Sequence, residues 1–145
     1  MKKADSVRES GDHKAAIPLY DKLLASATKL PLLDAGNCYL RRGTCFSALN
    51  QYDKAITDYF AALKIFEKIK NSGRIAAACN NIAGVYSDTK DHKNSEKYFL
   101  RALNLFIEEK DSVRTAFVMN DLATLYFEKK EYEKAIRIHT KALAE

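Results

Sequence analysis

Three cysteines and three histidines are the residues of this chain best suited to hold a metal or attack a substrate, and their spacing decides whether they can. Cys38 and Cys45 are two helical turns apart, about 10 Å along an axis, whereas two thiolates on one zinc lie within about 4 Å of each other. They cannot share a metal unaided. Cys79 falls in another apolar helical pattern, so burial accounts for all three thiols. His13 and His92 stand where Tyr52 and Tyr132 stand in the other copies of a repeated segment, and His139 is in line with Tyr20, Tyr59 and Phe99. They read as replaced aromatics. No Ser-His-Asp or Cys-His set converges on a pocket. The expectation is a protein that is not an enzyme and needs no metal or cofactor.

The elements that position these residues follow from composition and period. The chain has 145 residues, 47% of them hydrophobic and 30% charged, with five glycines and two prolines. That balance favours helix over sheet and supplies enough apolar material for a core, so an all-α fold is expected. The net charge is +5. Its signs alternate, as in KKADSVRESGDHK and EKKEYEKAIR, which describes a solvated surface and not a nucleic-acid stripe. No run reaches the roughly 18 apolar residues of a membrane span, and MKKADSVRES lacks a signal-peptide core. With an odd cysteine count, a cytoplasmic setting is expected.

Aligned with itself, the chain shows a period. GDHKAAIPLYDKLL, NQYDKAITDYFAAL, KDHKNSEKYFLRAL and KEYEKAIRIHTKAL superpose with Ala16, Ala55, Ser95 and Ala135 in register, at spacings of 39, 40 and 40. Upstream of the last three, YLRRGTCF, NNIAGVYS and NDLATLYF align Gly43, Ala83 and Ala123, each with an aromatic three positions on. Apolar residues recur at helical spacing in both halves, so each repeat is a helical hairpin. Gly or Ala in the first helix and Ala or Ser in the second allow close approach, with aromatics filling the gap beside them. Helices are predicted at about 35–49, 52–70, 73–89, 92–109, 112–129 and 132–144, after a partial hairpin, with Asp34, Asp91 and Asp111 as N-caps. The repeats divide a single domain of residues 1–145 into 1–33, 34–72, 73–111 and 112–145, part of a longer array.

The pattern Gly43…Phe46…Tyr52…Ala55…Tyr59…Ala62 resembles the tetratricopeptide repeat (TPR), and the resemblance covers essentially the whole chain. Departures are Ser95 for Ala, His92 and His139 at aromatic positions, and no closing proline. The 40-residue period is similar to the long repeats of kinesin light chains, spindle-orientation scaffolds and bacterial Rap-type and sensor-associated domains. The resemblance implies a right-handed superhelical solenoid whose first helices line a concave groove, and it implies binding of a peptide or helical segment there. Carried over position by position, the groove residues are Asn37, Leu40, Arg41, Thr44 and Ser47, then Asn80, Asn81, Gly84 and Ser87, then Phe117, Asn120, Asp121, Thr124 and Phe127.

Asn80 and Asn120 fall one period apart, and an amide offers the donor and acceptor that match a peptide unit. Leu40, Phe117 and Phe127 are expected to form apolar pockets. A water-facing polar surface is the competing reading of the asparagines. The two-carboxylate clamp of chaperone-binding relatives is not met. Leu40 and Thr44 stand where Lys and Asn are needed, and Phe117 and Asp121 where Lys and Arg are, although Asn81 matches. The functional expectation is a protein-interaction module. A regulatory input domain for a kinase or transcription regulator is the alternative, and an RNA-binding α-solenoid a weaker one. Both ends are expected to be uncapped, exposing Leu122, Leu125, Ile138 and Leu143 for self-association.

Overall fold

The computed structural model describes residues 1–26 and 29–144, and the side chains of all of these except 139 and 142–144. Eight helices occupy the described residues: α1 (Lys2–Glu9), α2 (His13–Ala25), α3 (Leu32–Ala48), α4 (Tyr52–Lys68), α5 (Ser72–Asp88), α6 (His92–Glu108), α7 (Ser112–Glu128) and α8 (Tyr132–Ala144). They form two compact units, Met1–Asn71 and Ser72–Glu145, each of two antiparallel hairpins in which consecutive helices pack. The fold is all-α, as expected.

From α3 to α7 every helix has 17 residues, and from α4 to α8 each begins 20 residues after the one before. The 40-residue period is thus two equal helix-plus-turn modules. The turns share one device. Asn50, Lys70, Lys90, Lys110 and Lys130 have φ between 55° and 65°, each two residues past the end of a helix. The next residue's N–H returns to a carbonyl five residues back, as from Asp111 to Phe106 at 3.0 Å, while that of Lys110 reaches Ile107 at 3.0 Å. These are the paired bonds of a Schellman cap, a place that favours glycine because a Cβ is strained in the left-handed region. Replacing Lys110 by Gly is therefore expected to stabilise the protein by about 1 kcal/mol, read from the urea midpoint. An unchanged or lower midpoint would contradict the strain argument.

Asp91 and Asp111 cap α6 and α7, accepting from Asn94 N–H at 3.3 Å and Arg114 N–H at 3.0 Å, and Asp12 caps α2 in the same way. Asp34 does not cap. Helix α3 starts at Leu32 behind Pro31, whose fixed φ pre-organises the start, and Asp34 lies in the first turn, where a negative charge suits the helix dipole.

The small residues meet aromatics as expected. In the first unit a Cβ on Gly43 would lie 2.7 Å from the Tyr59 ring, and one on Gly36 would lie 2.6 Å from that of Phe66. Ser95 replaces Ala without leaving a bare hydroxyl, since its Oγ donates to the Ala83 carbonyl at 3.0 Å. Tyr59, Phe66, Phe99, Phe106 and Tyr126 are all buried, and so are the free thiols of Cys38, Cys45 and Cys79. No group of three or more metal-ligating side chains occurs among the described residues, and no helix there is long and apolar enough to cross a membrane.

Leu122 and Leu125 correct the expectation of bare terminal leucines. Both are at most 1% exposed, because α7 turns them, with Val118 and Met119, into the core of the second unit. Ile138 is half-buried; the side chains of Leu143 and His139 lie outside the described residues. The solvent-facing residues of α1 are Lys2, Lys3, Ser6 and Glu9.

Candidate partner-binding surface

The site residues on α3 are built into the first unit. Asn37 and Leu40 are buried, at 6% and 7% exposure, which removes Leu40 from the pocket-forming set. Arg41 is held by an ion pair to Asp5 at 2.8 Å, the same carboxylate that accepts from Tyr20. Thr44 donates to the Leu40 carbonyl at 3.0 Å and accepts from Tyr59 at 3.5 Å. Ser47 is half-buried. These side chains already have protein partners or are packed.

In the second unit the residues on α5 are small, polar and half-buried: Asn80, Asn81, Gly84 and Ser87. The Oδ1 of Asn80 is inaccessible and accepts no hydrogen bond from the protein. A Cβ on Gly84 would meet nothing within 4 Å, so the helix is notched at the next turn.

Helix α7 is the opposite. Phe117 and Phe127 are 65% and 64% exposed, and Asn120, Asp121 and Thr124 are exposed with them. Phe127 packs edge-on against Tyr132 of α8, ring centroids 5.4 Å apart. A cleft of about 520 Å³ runs between α7 and α8, lined by Asn120, Ala123, Thr124, Phe127, Ala135, Ile136 and Thr140. A second, of about 330 Å³, lies beside Val113, Ala116 and Phe117. The sequence reading missed the α8 wall. Ile136, at 66% exposure, is aligned with Ile56 and Glu96 in earlier copies, and that swing from apolar to charged was the available signal.

Around this surface the charges are paired. Lys129 bridges Glu96 at 3.8 Å and Glu131 at 3.6 Å, and Lys134 lies 5.5 Å from the Tyr126 ring centre. Burial, helped by a hydrogen bond to Glu96, pushes the Tyr126 phenol up to about 12. Although Asp121 stands on the exposed face, the surrounding helix surface partly desolvates its carboxyl and pushes it above the usual range. These arrangements position side chains; none pairs a nucleophile with a base.

Sequence models of the tetratricopeptide repeat match residues 74–144 and 36–68. The chain belongs to the tetratricopeptide-repeat family, whose fold is that of a protein-interaction module. A search of curated proteins returned no match. Among solved structures it is similar to BtubC (BKLC) from P. vanneervenii, with 27% identity over 97% of this chain and 58% of that one, at a TM-score of 0.87. Aspartyl phosphate phosphatase F from Bacillus subtilis matches at 18% identity over 99% of this chain and 38% of that one, TM-score 0.92. The Rap conjugation gene regulator of plasmid pLS20, solved in complex with the Phr* peptide, matches at 15% identity over 98% and 40%, TM-score 0.82. The chain thus spans less than two thirds of the length of each of these proteins, and the last two likenesses are likenesses of fold.

Proposed function

We propose that this chain is a non-catalytic interaction module that holds a peptide or helical segment of a partner protein on the α5 and α7 surfaces of its second unit. The observation that carries this reading is the exposed row on α7. Phe117 and Phe127 offer apolar contacts, and Asn120 offers a donor and an acceptor between them, beside a cleft wide enough for side chains. Asn80, one period earlier on α5, adds an inaccessible carbonyl oxygen without a hydrogen bond from the protein. Further support comes from the Rap regulator, which was solved holding a peptide. That protein is a gene regulator, which favours as a second reading a regulatory input domain within a larger signalling protein. The buried free thiols fit a reducing compartment such as the cytoplasm.

Peptides selected from a displayed library against the intact protein supply the test. Replacing Asn80 and Asn120 together by Ala is expected to weaken the selected peptide at least about tenfold. The melting temperature should hardly move, because Asn120 is exposed and the Asn80 oxygen makes no bond to lose. A peptide whose contacts map instead to Lys97 and Arg101 would place binding on another face.

A further inference from the structure

Along α7 the outward residues Val113, Phe117, Asn120, Thr124 and Phe127 recur at alternating steps of four and three. That is the spacing of the seam between two helices in a coiled coil. All are exposed, Val113 and Phe117 at 65% and Phe127 at 64%. One period earlier, α5 carries Gly73, Ala77, Asn80, Gly84 and Ser87 at the same places, all half-buried. Small residues permit the close helix approach found inside an array. The change to Val, Phe, Thr and Phe on α7 suits a helix held further away by interlocking side chains. The stripe therefore does not repeat the chemistry that stacks one hairpin on the next.

Its charges point to a particular occupant. Arg114, Asp121 and Glu128 follow one edge of the stripe at every seventh residue, positive at one end and negative at the other. A parallel copy of the same helix would set Arg114 against Arg114 and Glu128 against Glu128. An antiparallel copy, related by a twofold axis level with Leu122, brings each Arg114 within two residues of a Glu128, two favourable pairs against one like-charge approach, that of Asp121 to its own copy near the axis. The same register sets Phe117 against Phe127 and Asn120 against Thr124, so apolar faces apolar and amide faces hydroxyl. Arg114 and Glu128 already make loose contacts at home, with Asp111 at 3.6 Å and Lys90 at 3.8 Å. Exposed pairs of that kind cost little to exchange. On the other edge Ala116 and Ala123 leave room for the incoming helix to lean towards Ile136.

From this self-complementarity we infer that α7 is the centre of a twofold interface at which a second copy of this chain docks antiparallel. Such an interface is isologous: each residue and its counterpart contact one another twice. It is independent of whether the surface also takes a peptide, because it is tested with the protein alone.

Sedimentation equilibrium or light scattering from low micromolar to millimolar concentration should show a monomer–dimer equilibrium and no larger species. Phe117→Asp and Phe127→Asp should each weaken it at least about 30-fold, with helical content unchanged by circular dichroism. Arg114→Glu and Glu128→Arg should each weaken it, and the two together should restore it, since the exchange re-creates both cross-axis pairs. Asp121→Cys, close to the axis, should trap a covalent dimer under mild oxidation, whereas Ser112→Cys should not. A protein that stays monomeric across the range overturns the inference. So does association that survives both phenylalanine variants, or a double charge exchange that fails to recover the dimer.

Discussion

Replacing Asp58 by Ala is expected to lower the unfolding free energy by about 3 kcal/mol. Asp58 is 3% exposed, and its two oxygens accept from Arg42 in a bidentate pair at 2.8 and 2.7 Å. The same guanidinium donates to Asp21 at 2.8 Å and lies 5.6 and 5.8 Å from the ring centres of Tyr39 and Phe46. The hydrogen bonds from Arg42 to Asp58 hold its charge more firmly than in water, against the opposing effect of burial. Removing Asp58 leaves a half-buried cation with one carboxylate, on the largely exposed Asp21, and that loss of compensation is the source of the effect. Asp58→Asn, which keeps the shape and one acceptor, should lose roughly half as much. Replacing both partners by apolar residues, Arg42→Met with Asp58→Leu, should come close to the parent, because neither charge then needs a partner. Urea unfolding of the three variants decides it: an Asp58→Ala loss below about 1 kcal/mol would mean that the pair is solvated and does not tie α2, α3 and α4 together.

The contrast between this pair and the exposed row on α7 shows what was legible in the sequence. Period and helix limits could be read because each depends on local chemistry repeated many times. Gly43 in line with Ala83 and Ala123, Ser95 in line with Ala55, and the aspartates before α6 and α7 follow from the repeat alignment and local chemistry, with no knowledge of the rest of the fold. The buried aromatics followed for the same reason. The Arg42–Asp58 pair was not legible, since 16 residues of chain separate its partners and charged residues are ordinarily read as surface. The terminal residues show a different failure. The sequence reading turns the leucines at 122 and 125 outward, yet α7 packs on both α6 and α8 and turns its most apolar side to both. What remains for solvent is the next face of the helix, where two phenylalanines stand. Identity alone does not separate a core Leu from a surface Phe; the phase of the helix does. Leu40 fell on the wrong side of the same distinction, and Arg41 was read as a ligand residue because Asp5 is 36 positions away.

The second large effect belongs to Phe66 and Gly36. Phe66 is fully buried, and its ring edge sits where a Cβ on Gly36 would be, 2.6 Å from that position. Phe66→Ala is expected to cost about 3–5 kcal/mol, the usual range for deleting a buried ring in a core that closes only partly around the space. Gly36→Ala alone should also destabilise, by about 1 kcal/mol. Forcing the ring aside costs roughly 1–3 kcal/mol, while the alanine recovers part of that through its better helix propensity inside α3. In the Phe66→Ala background the sign of Gly36→Ala should reverse. The ring it would strike is gone, a methyl group enters the vacated space, and the propensity gain of about 1 kcal/mol stands unopposed. The double variant should therefore be more stable than Phe66→Ala, with a coupling energy of about 2 kcal/mol between the two positions. Urea unfolding of the four proteins closes the cycle. If the two changes add to within about 0.5 kcal/mol, the ring is not seated on the glycine, and the packing reason given for small residues on the first helix of the hairpin fails at this position.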